Sequence, residues 1–120
     1  MILELSRNEK SLFEELIQVR RHKSSYQFIK TIEECSELQK GITKYLNNLE
    51  DRTTINKAIG NLNDMVDEIV DVQIQLFLLK MEIVRQIGEA KFEMLWNSKY
   101  VTKMQQIRKK IDELKQDKES

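Results

Sequence analysis

The chain has 120 residues, enough for one domain, and 33% of them are charged and 40% hydrophobic, as in an ordinary soluble protein. Twenty basic and twenty acidic residues leave no net charge, so composition gives no general case for nucleic-acid binding. A single cysteine cannot form an internal disulfide, which predicts a reducing, cytoplasmic setting. The longest apolar-rich run is too short and too polar for a membrane span, and the first residues lack a signal-peptide pattern. A secreted, membrane or disordered protein is therefore not expected.

The first half of the chain predicts two helices. Ser6-Arg7-Asn8-Glu9 is typical of a capping box, and the helix after it is expected to end in the basic run at 20–23. A second capping box is predicted at 24–27. The next helix is expected to end near Asn47 or Asn48. Its apolar residues at heptad-like spacing predict one buried face, made of Phe28, Ile32, Cys35, Ile42, Leu46 and Leu49.

The middle of the chain predicts a short helix, a break and a long central helix. Thr53 or Thr54 is the expected cap of the short helix. Gly60-Asn61 predicts a break, with Asn61 as the N-cap of a third long helix over 62–81. Eight of the eleven residues at 69–79 are apolar, which is typical of a helix buried all round.

The last helical stretch is predicted over 84–114, with either a kink at Gly88 or a joint near Asn97-Ser98. Residues 116–120 are predicted to fray. The sequence thus predicts an all-α fold: one antiparallel helical bundle of about four to five helices. It occupies a single domain, 1–120, with an N-terminal helix in 1–23 and the functional motifs in 24–115.

Two groups of acidic residues stand out on two different predicted helices. The groups are Glu33, Glu34 and Glu37, and Asp64, Asp67, Glu68 and Asp71. Residues three or four apart share a helix face, so Glu34 lies beside Glu37 and repels it. Asp71 lies beside Glu68 and falls in the most apolar segment, where an unpaired carboxylate is costly. No Lys or Arg occurs at 61–79, so the acids of the second group have no cation within a helical turn on their own helix.

Two interpretations of these acids remain open. One is a solvated face, or acids that pair with cations of another helix. The other is convergence of Glu34, Glu37, Glu68 and Asp71 from two antiparallel helices into an oxygen-rich site. Such a site suits Mg²⁺ or Mn²⁺ rather than Zn²⁺. A di-iron centre is disfavoured, because it needs Glu-x-x-His on two helices and the single histidine, His22, has no Glu three residues before it.

At these residues the sequence resembles a known family. Glu33-Glu34-Cys35-Ser36-Glu37-Leu38, followed by Glu68-Ile69-Val70-Asp71-Val72, is similar to the E-x-x-E and E-x-x-D motif halves of the MazG-like all-α nucleoside triphosphate pyrophosphohydrolases. The similarity is to the short phage and bacterial form in particular, in which an EEC-x-EL helix precedes an EI-x-DV helix and a Lys/Arg-rich terminal helix. It covers roughly residues 26–114.

The resemblance implies hydrolysis of a nucleotide between its α- and β-phosphates, with release of a nucleoside monophosphate and pyrophosphate. It implies that Glu34, Glu37, Glu68 and Asp71 bind Mg²⁺. One of these acids, or Glu33 beside them, would orient the attacking water. It also implies a dimer or tetramer, and the exposed apolar surface of so short a chain points the same way.

The family's terminal helix offers cations to the substrate phosphates, and here the resemblance assigns that role to Lys99, Lys103 and Arg108. Gln106 stands where the family has an arginine. The segment at 51–60 makes the spacing between the motif halves long for the family, and it is interpreted as a substrate lid, an oligomer contact or a neutral insertion.

Four aromatic residues are candidates for stacking on a base, although core packing is the favoured interpretation of each: Tyr45, Phe77, Phe92 and Trp96. Cys35 is interpreted as a small apolar filler rather than a nucleophile. The leading hypothesis is a Mg²⁺-dependent pyrophosphohydrolase. Its rivals are a catalytically inactive interaction or regulatory protein of the same fold, and a carboxylate bundle of another class such as a di-iron protein.

Overall fold

The computed structural model describes residues 5–20, 25–50 and 55–119, and these residues form four helices. They are α1 (Arg7–Val19), α2 (Tyr26–Leu49), α3 (Ile55–Ile87) and α4 (Glu89–Glu119). The described ranges contain no strand, so the predicted all-α fold class is confirmed. None of these helices has a stretch both long and apolar enough to cross a membrane. The chain divides into two compact units, Met1–Glu82 and Ile83–Ser120.

The predicted capping box at the start of α1 is confirmed. The Ser6 hydroxyl accepts a hydrogen bond from the Glu9 backbone N–H at 3.2 Å, and the Glu9 carboxylate accepts from the Ser6 N–H at 3.4 Å. These two bonds satisfy N–H groups that have no partner inside the helix. The helix ends at Val19 with Arg20 as its C-cap. The rest of the predicted basic run, including His22, lies outside the described residues.

The second predicted capping box is wrong where the structure describes it. Ser25 occupies the N-cap position of α2 and makes no side-chain capping bond. The Gln27 side chain, expected to accept a hydrogen bond from the N-cap N–H, is used elsewhere. Its amide donates to the Thr31 hydroxyl at 3.2 Å and to the Gln75 side-chain oxygen at 2.9 Å. Ser24 lies outside the described residues.

Helices α2 and α3 pack side by side in antiparallel directions. Gln27 near the start of α2 bonds Gln75 late in α3, whereas Asn48 near the end of α2 donates to Asn61 early in α3 at 2.6 Å. The positions on α2 that are buried or half-buried along this contact recur at steps of four and three, at 27, 31, 34, 38, 41, 45 and 48. The matching positions on α3 are 58, 61, 65, 68, 72 and 75. We call these two rows the α2–α3 seam.

The predicted apolar face of α2 is wrong in its orientation. Ile32 is 66% exposed, Leu46 is 54% exposed, and Cys35 is exposed rather than a core filler. Each residue of that face lies one position after a seam residue, or about 100° further round the helix. The seam is instead rich in polar side chains such as Gln27, Thr31 and Glu34. The face of α2 that meets α3 is thus a mixed one, with hydrogen-bonding side chains beside apolar residues such as Leu38.

Helix α3 is longer than predicted, because the expected break at Gly60-Asn61 does not occur. The helix is continuous from Ile55 to Ile87. Asn61 is not an N-cap; its side-chain oxygen accepts a hydrogen bond from Asn48 instead. A glycine inside a helix costs about 1 kcal/mol relative to alanine, and contacts made by the flanking turns offset such a cost. Thr53 and Thr54, the predicted caps, lie outside the described residues.

Gly88 separates α3 from α4, so the predicted joint at Asn97-Ser98 is wrong and the alternative at Gly88 is right. Gly88 has a φ of 90°, a conformation that glycine adopts without steric cost. Its N–H donates to the Val84 carbonyl at 2.7 Å, and its own carbonyl accepts from the Phe92 N–H at 3.1 Å. The segment at 116–119, expected to fray, is helical as part of α4.

Little apolar surface is fully buried in the described part of the chain. Ala58 at 1% exposure and Leu78 at 0% are its buried hydrophobic residues. Around them, the rings of Phe13 and Phe77 pack at 6.4 Å, which joins α1 to α3. The Arg20 guanidinium lies 4.7 Å from the centre of the Tyr26 ring. The described residues of the first unit are therefore held together largely by helix pairing along half-buried surfaces.

Candidate metal centre on the α2–α3 pair

Three acids from the two predicted groups meet between α2 and α3. Glu34 of α2 and Glu68 and Asp71 of α3 each offer a carboxylate oxygen, and these oxygens lie within 4.8 Å of one another. We call these three residues the acidic group. Acids of the two helices thus lie together here, as the interpretation of a shared oxygen-rich site requires.

The helix pair itself brings these side chains together. Glu34 and Glu68 are both seam positions, and the Glu34 side chain is only 17% exposed. Asp71 lies three residues after Glu68, on the same side of α3 and more open to solvent. The register that aligns the two helices is fixed on either side by the Gln27–Gln75 and Asn48–Asn61 hydrogen bonds.

The pKa of Glu68 reflects this setting. Burial between the helices raises the pKa of Glu68 above its ordinary value, and the charges of Asp71 and Glu37 raise it further. The carboxylate of Glu68 is thus harder to ionise here than in water. A cation that approached these oxygens would relieve both effects, because it would replace lost hydration and oppose the neighbouring charges.

Lys30 supplies a cation that the sequence interpretation overlooked. Its Nζ lies 3.1 Å from a Glu34 oxygen and 3.6 Å from a Glu33 oxygen. The hydrogen bond to Glu34 and the attraction of that carboxylate raise the pKa of Lys30. The signal was present in the sequence, because Lys30 and Glu34 stand four residues apart on one helix. The acidic group therefore has one local counter-charge, which comes from α2.

Glu33 and Glu37, the remaining predicted catalytic acids, lie at the edge of this centre. The Glu33 side chain is 60% exposed and that of Glu37 is 54% exposed, with Glu37 3.4 Å from Lys40. Neither belongs to the acidic group, but the charge of Glu37 is close enough to raise the pKa of Glu68. Both are therefore placed to contact water or ligand beside the three inner acids.

The predicted phosphate-binding cations belong to α4 in the second unit. Lys99, Lys103 and Arg108 are all exposed on that helix. Arg108 pairs with Asp112 at 2.6 Å, four residues further on. Arg108 is thus already paired within its own helix.

The four aromatic candidates fall into two kinds of setting. Tyr45 is half-buried in the α2–α3 seam, and Phe77 packs against Phe13. Phe92 and Trp96 stack on each other at 5.9 Å on α4. Each of these arrangements is an ordinary packing role for an aromatic side chain.

The chemistry of the acidic group fits a small divalent cation. Its donors are three carboxylates with no histidine or cysteine, the ligand set preferred by Mg²⁺ and Mn²⁺. Three oxygens bound to one octahedral Mg²⁺ include at least two adjacent pairs, about 3.0 Å apart at the usual ligand distance of about 2.1 Å. The three carboxylate oxygens, now within 4.8 Å of one another, would have to move closer together to bind one ion directly. Lys30 contacts one oxygen of Glu34 and would compete with the ion for that carboxylate.

Comparison with protein-family models, with curated proteins and with solved structures finds no match.

Proposed function

We propose that this protein is a Mg²⁺-dependent nucleotide pyrophosphohydrolase that cleaves a nucleoside triphosphate between its α- and β-phosphates. The observation that carries this proposal is the acidic group: acids from the E-x-x-E segment of α2 and the E-x-x-D segment of α3 lie within 4.8 Å of one another. The motif resemblance supplies the reaction, and the donor chemistry supports a divalent cation in it.

Each acid has a distinct part in this proposal. Glu34, Glu68 and Asp71 would hold Mg²⁺, with Glu37 as the fourth acid that the resemblance assigns to it. Bound Mg²⁺ would neutralise the charge of the phosphate oxygens. Glu33 or Glu37, at the open edge of the centre, would orient the attacking water and accept its proton. Phosphoryl transfer depends on such positioning and charge neutralisation more than on covalent help from the protein.

The proposal also assigns phosphate contacts to Lys99, Lys103 and Arg108 of α4. If Lys103 binds phosphate, Lys103→Ala will raise KM or lower kcat and leave Mg²⁺ affinity unchanged. The same comparison is to be made for Lys99→Ala and Arg108→Ala. Should all three variants match the parent in kcat/KM, these cations do not contact the substrate. A cytoplasmic dimer or tetramer completes the proposal.

The second candidate is a catalytically inactive helical protein of the same fold that acts by binding partners. The observation in its favour is the large number of exposed apolar side chains in the described ranges, among them Ile32 and Leu46. Under this alternative the acids would be an inherited feature without turnover.

A screen of nucleoside triphosphates with Mg²⁺, with pyrophosphate release as the readout, distinguishes the two candidates. We expect release of pyrophosphate and a nucleoside monophosphate by the parent, and none by Glu68→Gln, which removes one anionic ligand but keeps its shape. Glu15→Gln, an exposed position on α1, is the matched control and is expected to be fully active. Equal activity in parent and Glu68→Gln would refute the assignment.

A further inference from the structure

Lys30 stands on the side of the α2–α3 pair at which the acidic group is more open to solvent. It comes one residue before the seam position Thr31, and Asp71 comes one residue before the seam position Val72. One residue turns a side chain by about 100° around its helix. Because the two helices are antiparallel and face each other across the seam, this step places both residues on the same side of the pair.

The ammonium of Lys30 links the inner part of the candidate metal centre to its edge. Its Nζ lies 3.1 Å from an oxygen of Glu34, a half-buried member of the acidic group, and 3.6 Å from an oxygen of the exposed Glu33. The Lys30 residue is itself half-buried. A ligand that approached the acidic group from this side would therefore meet the ammonium beside the carboxylates.

The charge of the acidic group explains why a phosphate ligand needs a cation there. The three carboxylates carry one more negative charge than a divalent ion neutralises, and the exposed Glu33 adds another. This excess would repel a chain of phosphates, which is itself negatively charged. The positive charge of Lys30 reduces the excess from within the same helix pair.

The ammonium is also able to change its partner. It would be repelled by a divalent ion bound to Glu34, because both carry positive charge. A lysine has a long, flexible stem and several N–H donors, so it can turn to a new acceptor while the helix stays in place. Phosphate oxygens are strong acceptors for a lysine ammonium, and a bound nucleotide would bring them to this side of the acidic group.

We propose that Lys30 binds the phosphate chain of the substrate. This inference rests on the proposed function, because it takes the acidic group as the place where Mg²⁺ and phosphate meet. Before substrate binds, Lys30 pairs with Glu34; in the complex, its ammonium contacts phosphate oxygens. The contact comes from α2, in the same unit as the acids, in addition to those assigned to Lys99, Lys103 and Arg108 of α4.

Two calorimetric titrations of the full-length protein test the proposal, one with Mg²⁺ alone and one with inorganic pyrophosphate at saturating Mg²⁺. Lys30→Met keeps most of the apolar stem and removes the charge. We expect it to weaken pyrophosphate binding roughly ten- to hundredfold, the usual effect of losing a hydrogen bond between charged groups. Mg²⁺ alone should bind at least as tightly as in the parent. A lysine that served only to position Glu34 would change both affinities in the same direction.

Two further variants serve as controls. Lys44→Met removes an equal charge from an exposed position of α2, fourteen residues or about 21 Å along the helix, and should leave pyrophosphate affinity almost unchanged. Lys30→Arg keeps the charge and should retain most of the affinity.

Three results would overturn the proposal: a parent that does not bind pyrophosphate, an equal loss in Lys44→Met, or unchanged pyrophosphate binding in Lys30→Met. Weaker binding of Mg²⁺ alone in Lys30→Met would also overturn it, because the residue would then act through the metal site. The proposed function is decided separately, by pyrophosphate release from nucleoside triphosphates. Release by the parent with normal pyrophosphate binding in Lys30→Met would disprove the Lys30 contact and leave the hydrolase standing.

Discussion

Glu68 is both a residue of the α2–α3 seam and a proposed Mg²⁺ ligand. Its pKa is raised by burial and by neighbouring carboxylates, so the folded chain holds a proton on Glu68 at a pH where the unfolded chain has released it. The ionised group therefore opposes folding. Well below the ordinary value of 4.5 this penalty is absent. It develops as the pH rises from 4.5, and it is complete once the pH exceeds the raised pKa.

Replacement of this carboxylate by an amide should therefore stabilise the metal-free protein. At pH 7 we expect a higher Tm for Glu68→Gln than for the parent, and a smaller rise in Tm when the pH is lowered towards 4.5. Thermal melts of both proteins across this range, in the presence of a chelator, provide the measurement. Glu15→Gln should follow the parent, and a lower Tm for Glu68→Gln would contradict the account.

Lys30 is expected to compete with the metal for Glu34. Its ammonium lies 3.1 Å from one oxygen of that carboxylate, so a cation bound by Glu34 would meet a second positive charge there. Lys30→Met should lower the Tm of the metal-free protein and tighten Mg²⁺ binding several-fold. Titration calorimetry compares it with Lys44→Met, which removes an equal charge from an exposed position of α2. An equal increase in Mg²⁺ affinity in both variants would mean that the change in net charge alone is responsible.

The residues of the acidic group could be proposed from the sequence, whereas the exposure of the acids beside them could not. Spacing of three residues put Glu68 and Asp71 on one face, and the apolar context of Asp71 marked it as unusual. The contribution of Lys30 could also be predicted, because Lys30 and Glu34 stand four residues apart on one helix. The solvent exposure of the Glu37 side chain depends on how α2 is rotated about its axis against α3. Residue spacing along one helix does not determine that rotation.

At the scale of the helices, the existence of each element was predictable and its orientation was not. Apolar periodicity correctly indicated a long α2, but the face it marked is exposed, because the contact with α3 is made by Gln27, Thr31 and other polar seam residues. The low helix propensity of glycine predicted a break at Gly60. In the structure α3 continues through this residue, so the longer helix outweighs the local preference. Gly88 ends α3 because its positive φ interrupts the helix, and that needs no packing partner.

The Gln27 network should make a measurable contribution to the pairing of α2 with α3. Gln27 is 8% exposed and donates to both Thr31 and Gln75. Gln27→Ala leaves those acceptors buried without their donor, and we expect it to lower the free energy of unfolding by about 1–3 kcal/mol. Gln39→Ala, at an exposed position of the same helix, should change it by less than about 0.5 kcal/mol. Chemical denaturation measures both, and equal effects would argue against the network.

The glycines provide a paired test of backbone conformation. A methyl group at Gly41 would meet nothing within 4 Å, so Gly41→Ala should stabilise α2 by about 0.5–1 kcal/mol. Gly88 also has open space but a φ of 90°, so Gly88→Ala should destabilise by about 1–2 kcal/mol. Opposite signs in denaturation experiments are the expected result. Stabilisation by both would show that the junction tolerates a continuous helix.

For the molecule as a whole, a small apolar interior makes stability depend on what binds. Of the described residues, Ala58 and Leu78 are the fully buried hydrophobic ones. We expect Mg²⁺ to raise the Tm. At a Mg²⁺ concentration one hundred times its dissociation constant, the free energy of unfolding should increase by about 2.7 kcal/mol. Melts with Mg²⁺ and with NaCl at matched ionic strength measure the specific effect. Glu68→Gln should lose most of it, and a Tm indifferent to Mg²⁺ and Mn²⁺ would favour a solvated acidic surface.

The raised pKa of Glu68 has a consequence for how this sequence drifts over generations. A lineage released from cation binding would gain stability by replacing Glu68 or Asp71 with an amide or an apolar residue, so selection for folding alone would erase the acids. The polar pairs of the seam, by contrast, would persist, because each supports the fold. Descendants that keep all three acids are then expected to hydrolyse nucleotides. Those that keep Gln27 and Gln75 but have lost Glu68 are expected to share the helix pair without the chemistry.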